Sequence, residues 1–174
     1  MINFTKALEM SIKTKNWYSV LFISLTLPDI CGKIEEPNSN SSKQRTINWC
    51  DKYLTPIYTS TIGHSRRVSV FLSGSDFYAL RCAYLHEGSS DITSQRAREV
   101  LENFLFIQPI DGEGYIHRNR LDNTLQLQVD EFGKDVLNAV QSWLNDIKDN
   151  PEKTNKINSL LEIKMLDRSK GFSL

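Results

Sequence analysis

Residues 73–88 read SGSDFYALRCAYLHEG, and the fold turns on how this stretch is read. Ser73 is suited to cap a helix start, with Asp76 placing a negative charge in the first turn in a capping-box-like pattern. Gly88 supplies a left-handed residue suited to ending the helix. At ~100° per residue, Phe77, Leu80, Tyr84 and Leu85 share one side, and Arg81 falls among them. A guanidinium on an apolar face needs an anion or an edge open to water, because its desolvation is costly. His86 follows five positions later. In a regular helix the two lie ~140° apart, but a loosened last turn would let the imidazole swing toward the arginine. The helix dipole at that end favours a protonated imidazole.

Arginine beside a titratable imidazole suits phosphodiester chemistry, the histidine moving a proton while the arginine stabilises phosphoryl charge. The structural alternative is that Arg81 pairs with an internal carboxylate and His86 simply ends a helix. Burial of Arg81 against an Asp or Glu of the same chain favours this alternative. Convergence of both side chains on an open cleft favours the chemistry.

Working outward, periodicity predicts an amphipathic helix over residues 2–15, with Phe4, Leu8 and Ile12 on its apolar face. Residues 17–27 form a buried helix, after which Pro28 kinks it or begins another turn, LPDICGKIE. EPNSNSSK at 36–43 reads as a loop. A helix over about 45–54 follows, ended by Thr55-Pro56. Residues 57–72 read as irregular, with VSVFL a short extended piece. A helix is expected over Ile92–Asn103, capped by Ser90 or Asp91.

The period then changes. Phe104–Gln108 is β-prone, DGEG at 111–114 and LDN at 121–123 are turn signals, and TLQLQV alternates with period two. These features predict a small antiparallel β-meander at about 104–129, inserted before the last long helix. That helix carries Phe132, Val136, Val140, Trp143 and Ile147 in a stripe and stops at Asn150-Pro151. The fold class expected is therefore mainly α, a helical bundle forming one domain over 1–150. Residues 151–174 form a partly helical C-terminal extension.

Length and composition fit one globular core: 174 residues, 40% hydrophobic and 24% charged. Basic and acidic residues balance at 21 each, so bulk charge gives no strong pull on a polyanion, and any nucleic-acid contact must use a local patch. Cys31, Cys50 and Cys82 are odd in number and widely spaced, which points to reduced thiols and a cytoplasmic location. They lack metal-ligand spacing, and no metal or cofactor is expected. No run is long enough to span a bilayer, and the N-terminus lacks the pattern of a secretion signal.

The helical core, LPDICGKIE and LRCAYLHEG with its Arg81-x4-His86 spacing together resemble the HEPN superfamily. The likeness covers residues 1–103 and the helix from 130 to 148. Cys82 departs from the Asn, Asp or His that often follows the arginine, and the meander lies outside the basic bundle. The resemblance implies a metal-independent endoribonuclease, acting as a homodimer that joins two motifs across one cleft. In that role His86 would move a proton of the ribose 2′-hydroxyl or the leaving oxygen, and Arg81 would hold the scissile phosphate. Defence against phage, or a toxin restrained by an antitoxin-like protein partner, are the implied settings. HEPN-like domains that only dimerise or bind a ligand are the implied alternative.

Further candidates for substrate contact are Glu87, Arg96, His117, Arg118 and Arg120. Each has a plainer reading: Glu87 tailing the helix into water, Arg96 on a solvated face, and IHRNR charging a hairpin edge against aggregation. His64 with Arg66 and Arg67 reads as loop polarity, and the tryptophans as packing.

Overall fold

The structure is a computed structural model that describes residues 1–62, 66–109 and 115–164. Its helices are α1 (Ile2–Lys13), α2 (Trp17–Glu35), α3 (Ser42–Tyr53), α4 (Gly74–Cys82), α5 (Val129–Ile147) and α6 (Pro151–Asn158). The strands are β1 (Thr59–Ile62), β2 (Arg67–Val70), β3 (Asn103–Ile107), β4 (Asn119–Leu121) and β5 (Thr124–Gln128). The class is mainly α, and the larger sheet stands immediately before the long helix α5. Within the described residues no helix is long and apolar enough to cross a membrane.

α2 is the axle of the bundle. Val20, Leu21, Leu25, Leu27, Cys31 and Ile34 are buried along it, and α1, α3 and α5 pack around it. Pro28 sits inside this helix without ending it. At Gly32 a β-carbon would come within 2.7 Å of the Arg45 carbonyl oxygen. Its absence lets the α3 backbone lie against α2, which places Arg45 and Thr46 beside Asp29. Ser41 caps α3 by accepting from the Gln44 N–H. At the far end of α2, Glu35 accepts from the Trp143 indole at 3.0 Å and pairs with Lys153 at 2.7 Å, tying α2 to α5 and α6.

Residues 59–70 are more regular than expected: β1 and β2 form an antiparallel ribbon, Thr59 opposite Val70. Gly63 and His64, at the centre of that stretch, lie outside the described residues, as do DGEG 111–114 and residues 165–174.

The helix expected over Ile92–Asn103 is replaced by turns and an extended link. The reason is competition for its backbone donors. Asp76, 2% exposed, accepts from the N–H groups of Glu99 at 2.7 Å, Val100 at 3.3 Å and Leu101 at 3.4 Å. Asp91 takes the Thr93 N–H, and Ile92 donates to the Glu102 carbonyl. A segment whose donors are claimed by side chains and a strand edge cannot also form the i→i−4 ladder. Ser73 caps α4 through the Asp76 N–H at 3.1 Å, so Asp76 contributes its backbone to the cap and its carboxylate to this loop.

The larger sheet also departs from a meander. Its order is β3-β5-β4: β4 and β5 are antiparallel, while β3 runs parallel to β5. Asp122, at φ 52°, turns β4 tightly into β5, and β5 lies in the middle of the sheet. Parallel strands cannot be joined by a tight turn and need a crossover connection. The alternation in TLQLQ then buries Leu125 and Leu127 against Phe104 and the α5 stripe.

Substituting Asp76→Ala should leave the N–H groups of Glu99, Val100 and Leu101 without their acceptor and cost about 2–4 kcal/mol. Asp76→Asn should cost less, since the amide oxygen still accepts. Urea unfolding of the three proteins tests the order; equal midpoints would contradict the assignment of the loop to this carboxylate.

Candidate functional site

α4 does not run regularly to Gly88. Ala83–Glu87 form a π turn, with the Ser89 N–H reaching the Ala83 carbonyl at 3.1 Å, and Gly88 closes it at φ 66°. The wider turn rotates residues five apart toward one another relative to an α-helix, and such turns occur often at functional sites. His86, on this turn, is exposed. Glu87 beside it is also exposed, and its carboxylate accepts from the Gln95 amide at 3.0 Å.

Arg81 is held inside the chain. Its Nη2 donates to Asp29 Oδ2 at 2.9 Å, with 17% of the arginine side chain and 22% of the aspartate side chain exposed. The same carboxylate lies 3.5 Å from Arg45 Nη2 and accepts the Thr46 hydroxyl at 3.0 Å. Asp29 thus joins α2, α3 and α4. The Arg81 guanidinium also sits 6.0 Å from the centre of the Tyr78 ring. Sequence reading singled out Arg81 but neither Asp29 nor Arg45. The one sequence signal for Asp29 is a charged residue just past Pro28 inside an otherwise apolar helix.

The other candidates do not gather around Arg81. Arg96 and Arg120 are exposed, Arg120 on β4. His117 and Arg118 converge instead on Asp135 of α5. His117 Nε2 is 2.9 Å from Asp135 Oδ2, and Arg118 Nη2 donates to Oδ1 at 2.7 Å. The His117 side chain is only 1% exposed, so it is not presented to a substrate here. Arg118, at φ 56°, also lies over the Tyr58 ring at 5.2 Å. Burial pushes the Asp135 carboxyl up, but hydrogen bonds from His117 and Arg118 outweigh it and hold its pKa below the usual carboxylate value. This cluster clamps the chain ahead of β4 onto α5.

Trp49 and Trp143 are buried in the core, whereas Trp17 is partly exposed. Cys31 and Cys50 are buried free thiols, and Cys82 is a half-buried one.

Beyond Asp29, the outward side of α2 is apolar. Tyr18 is 75% and Phe22 49% exposed, and Phe22 meets Tyr84 edge-on at 5.3 Å between ring centres. The Tyr18, Phe22, Thr26 and Ile30 positions follow helical spacing, so this stripe leads along α2 to the Asp29–Arg81 pair and joins the end of α4 through Tyr84.

Comparison of the chain with protein-family models, with curated proteins and with solved structures gives no significant match.

Asp29→Ala should destabilise the protein more than Arg81→Met. The first strands two guanidinia side by side, at a cost of about 2–4 kcal/mol; the second leaves Asp29 still served by Arg45 and Thr46. Thermal unfolding of both variants checks this, and the reverse order would mean that Asp29 is not the hub.

Proposed function

We propose that the chain is a dimerising, ligand-holding helical module of HEPN type. The observation that carries this reading is the Arg81–Asp29 pair. A guanidinium bound at 2.9 Å by a carboxylate of its own chain, and largely buried, is already committed to positioning three helices. The dimer would form on the stripe of Tyr18, Phe22 and Tyr84, burying part of the 73–88 helix. Closed two-fold pairs are the commonest oligomers, and aromatic side chains in such a patch supply most of the apolar area that drives association. A cytoplasmic setting is part of the proposal, supported by the buried free thiols.

Light scattering of the purified chain at high micromolar concentration should give twice the chain mass. The double variant Tyr18→Asp, Phe22→Asp should give a folded monomer. A monomeric wild type at that concentration would remove the dimer from this reading.

A specific observation favours a second reading, the metal-independent endoribonuclease. The π turn and the exposed His86 at its end supply the loosened last turn that would bring an imidazole toward Arg81. In that reading Asp29 is a positioning residue for Arg81, His86 moves the proton of the 2′-hydroxyl, and an antitoxin-like protein restrains the enzyme. Incubation with diverse RNAs in excess EDTA separates the two. The module leaves RNA intact. The nuclease releases products ending in 2′,3′-cyclic phosphate, and His86→Ala then loses about 10²–10⁴ in rate. Arg81→Ala loses about 10²–10³, and melting temperatures measured alongside separate lost chemistry from lost fold.

A further inference from the structure

We propose that the end of β3, from Phe106 to Gln108, is a docking edge for a short extended peptide, whose central apolar side chain enters an aromatic pocket between β3 and α2. The inference rests on the ligand-holding half of the reading above and names the chemistry of the ligand.

β3 is an edge strand, with β5 on one side only. The backbone groups of successive strand residues turn alternately to its two sides. The Asn103 N–H turns to the Asn123 carbonyl, on the β5 side. The Phe104 N–H turns the other way, to the Ser90 carbonyl at 3.1 Å, and the Ile92 N–H donates to the Glu102 carbonyl beside it at 2.9 Å. The chain at 90–92 therefore covers the outer edge only at the start of β3. Two residues on, Phe106 presents its N–H and C=O to the same outer side, and no backbone group among the described residues meets them there. The Gln108 N–H comes next, in a residue held extended by Pro109 after it. Natural sheets blunt an open edge with charge or proline within the strand, and NFLFIQ has neither.

A pocket lies beside this edge. Trp17, Tyr18 and Leu21 at the start of α2 face Phe106 and Val129 across a cavity of about 150 Å³, and its lining carries no charged side chain. In an antiparallel pair, residues directly opposite each other set their side chains on the same face. A guest residue opposite Phe106 exchanges both backbone bonds with it and sends its side chain to the Phe106 face, into the pocket. Its two neighbours turn to the other face, where Leu105 is 47% exposed and polar guest residues meet water. Main-chain bonds supply the affinity and the pocket supplies the selection, as at other sheet edges that take peptides.

Size decides which strand comes. The open edge from Phe106 to Gln108 is about 10 Å long, and the cavity beside it admits one side chain. A second folded copy needs roughly 1,000 Å² or more of buried surface to stay bound, which this place alone does not supply. A short segment of a partner protein needs only the ladder and the pocket.

The test uses the full chain and fluorescein-labelled, capped pentapeptides Ser-Thr-X-Thr-Ser, read by anisotropy. With phenylalanine or leucine at X, Kd should be on the order of 10–100 µM. With aspartate at X, or with the phenylalanine peptide N-methylated at X, binding should weaken about tenfold or more. Trp17→Ala should weaken the phenylalanine peptide by about tenfold. Gln108→Pro, which removes an outward N–H and no bond to β5, should weaken it several-fold, and it serves if Trp17→Ala does not fold.

No binding up to about 1 mM peptide, or equal binding of the aspartate and N-methylated peptides, would overturn the site. Loss of the dimer mass in Gln108→Pro would give the edge to a second copy, and binding seen only after removal of residues 165–174 would give it to the chain's own end. Either result would overturn the proposal too. A monomeric wild type that binds the phenylalanine peptide would sink the dimer and leave this site standing; a dimer that binds none of the peptides would do the reverse.

Discussion

One carboxylate holds three helices. Asp29 projects from the axle of the bundle, and Arg45, Thr46 and Arg81 reach it from α3 and α4. Two conditions make this possible. Gly32, one turn along, lets the α3 backbone approach where any side chain would collide with the Arg45 carbonyl. Pro28, immediately before Asp29, is tolerated within the helix instead of ending it. Ion pairs of this degree of burial add little net stability over a well-packed apolar contact, but they cost a great deal to break from one side. Asp29 therefore specifies how α2, α3 and α4 meet more than it strengthens the meeting.

The helices were legible because their signals are local. Ser73 caps through the backbone, Gly88 ends the turn with positive φ, and the stripe from Phe132 to Ile147 is repeated often enough to fix a face. The stretch 92–103 reads as a helix although it is not one, because its decisive partner lies outside it. Nothing in QRAREV announces that Asp76, more than 20 residues earlier, will take three consecutive N–H groups. The sheet failed for a related reason: alternation identifies strands and LDN identifies a turn, but neither says that β3 will join the far side of β5.

The site divides in the same way. Arg81 was visible as a charge on an apolar face, and the need for an anion followed from physics alone. Which anion was invisible, since Asp29 sits 52 positions away. His117 and Arg118 read as surface charge on a hairpin, yet both side chains reach Asp135 of α5. Long-range charge pairing leaves no periodic trace. The same blindness explains why the loosened turn at 83–87 could be reasoned about as a condition but not read from its letters.

The sheet order has a consequence for the sequence of events in folding. β4 and β5 are joined by a tight turn and can zip locally, but Asn103 of β3 has to wait for Thr124, 21 positions later, before its parallel ladder exists. Pairings of greater sequence separation form more slowly because more chain must be ordered first. On a chain made from its N-terminus, NFLFI is therefore synthesised before its parallel partner, met only at its start by the preceding chain, where Asn103 bridges Asp91 and the Phe104 N–H donates to the Ser90 carbonyl, and it carries no lysine or proline to discourage a wrong pairing. Between the appearance of β3 and that of β5 the free side of this strand is open to pairing with a neighbour, and docking of the β4–β5 hairpin closes it.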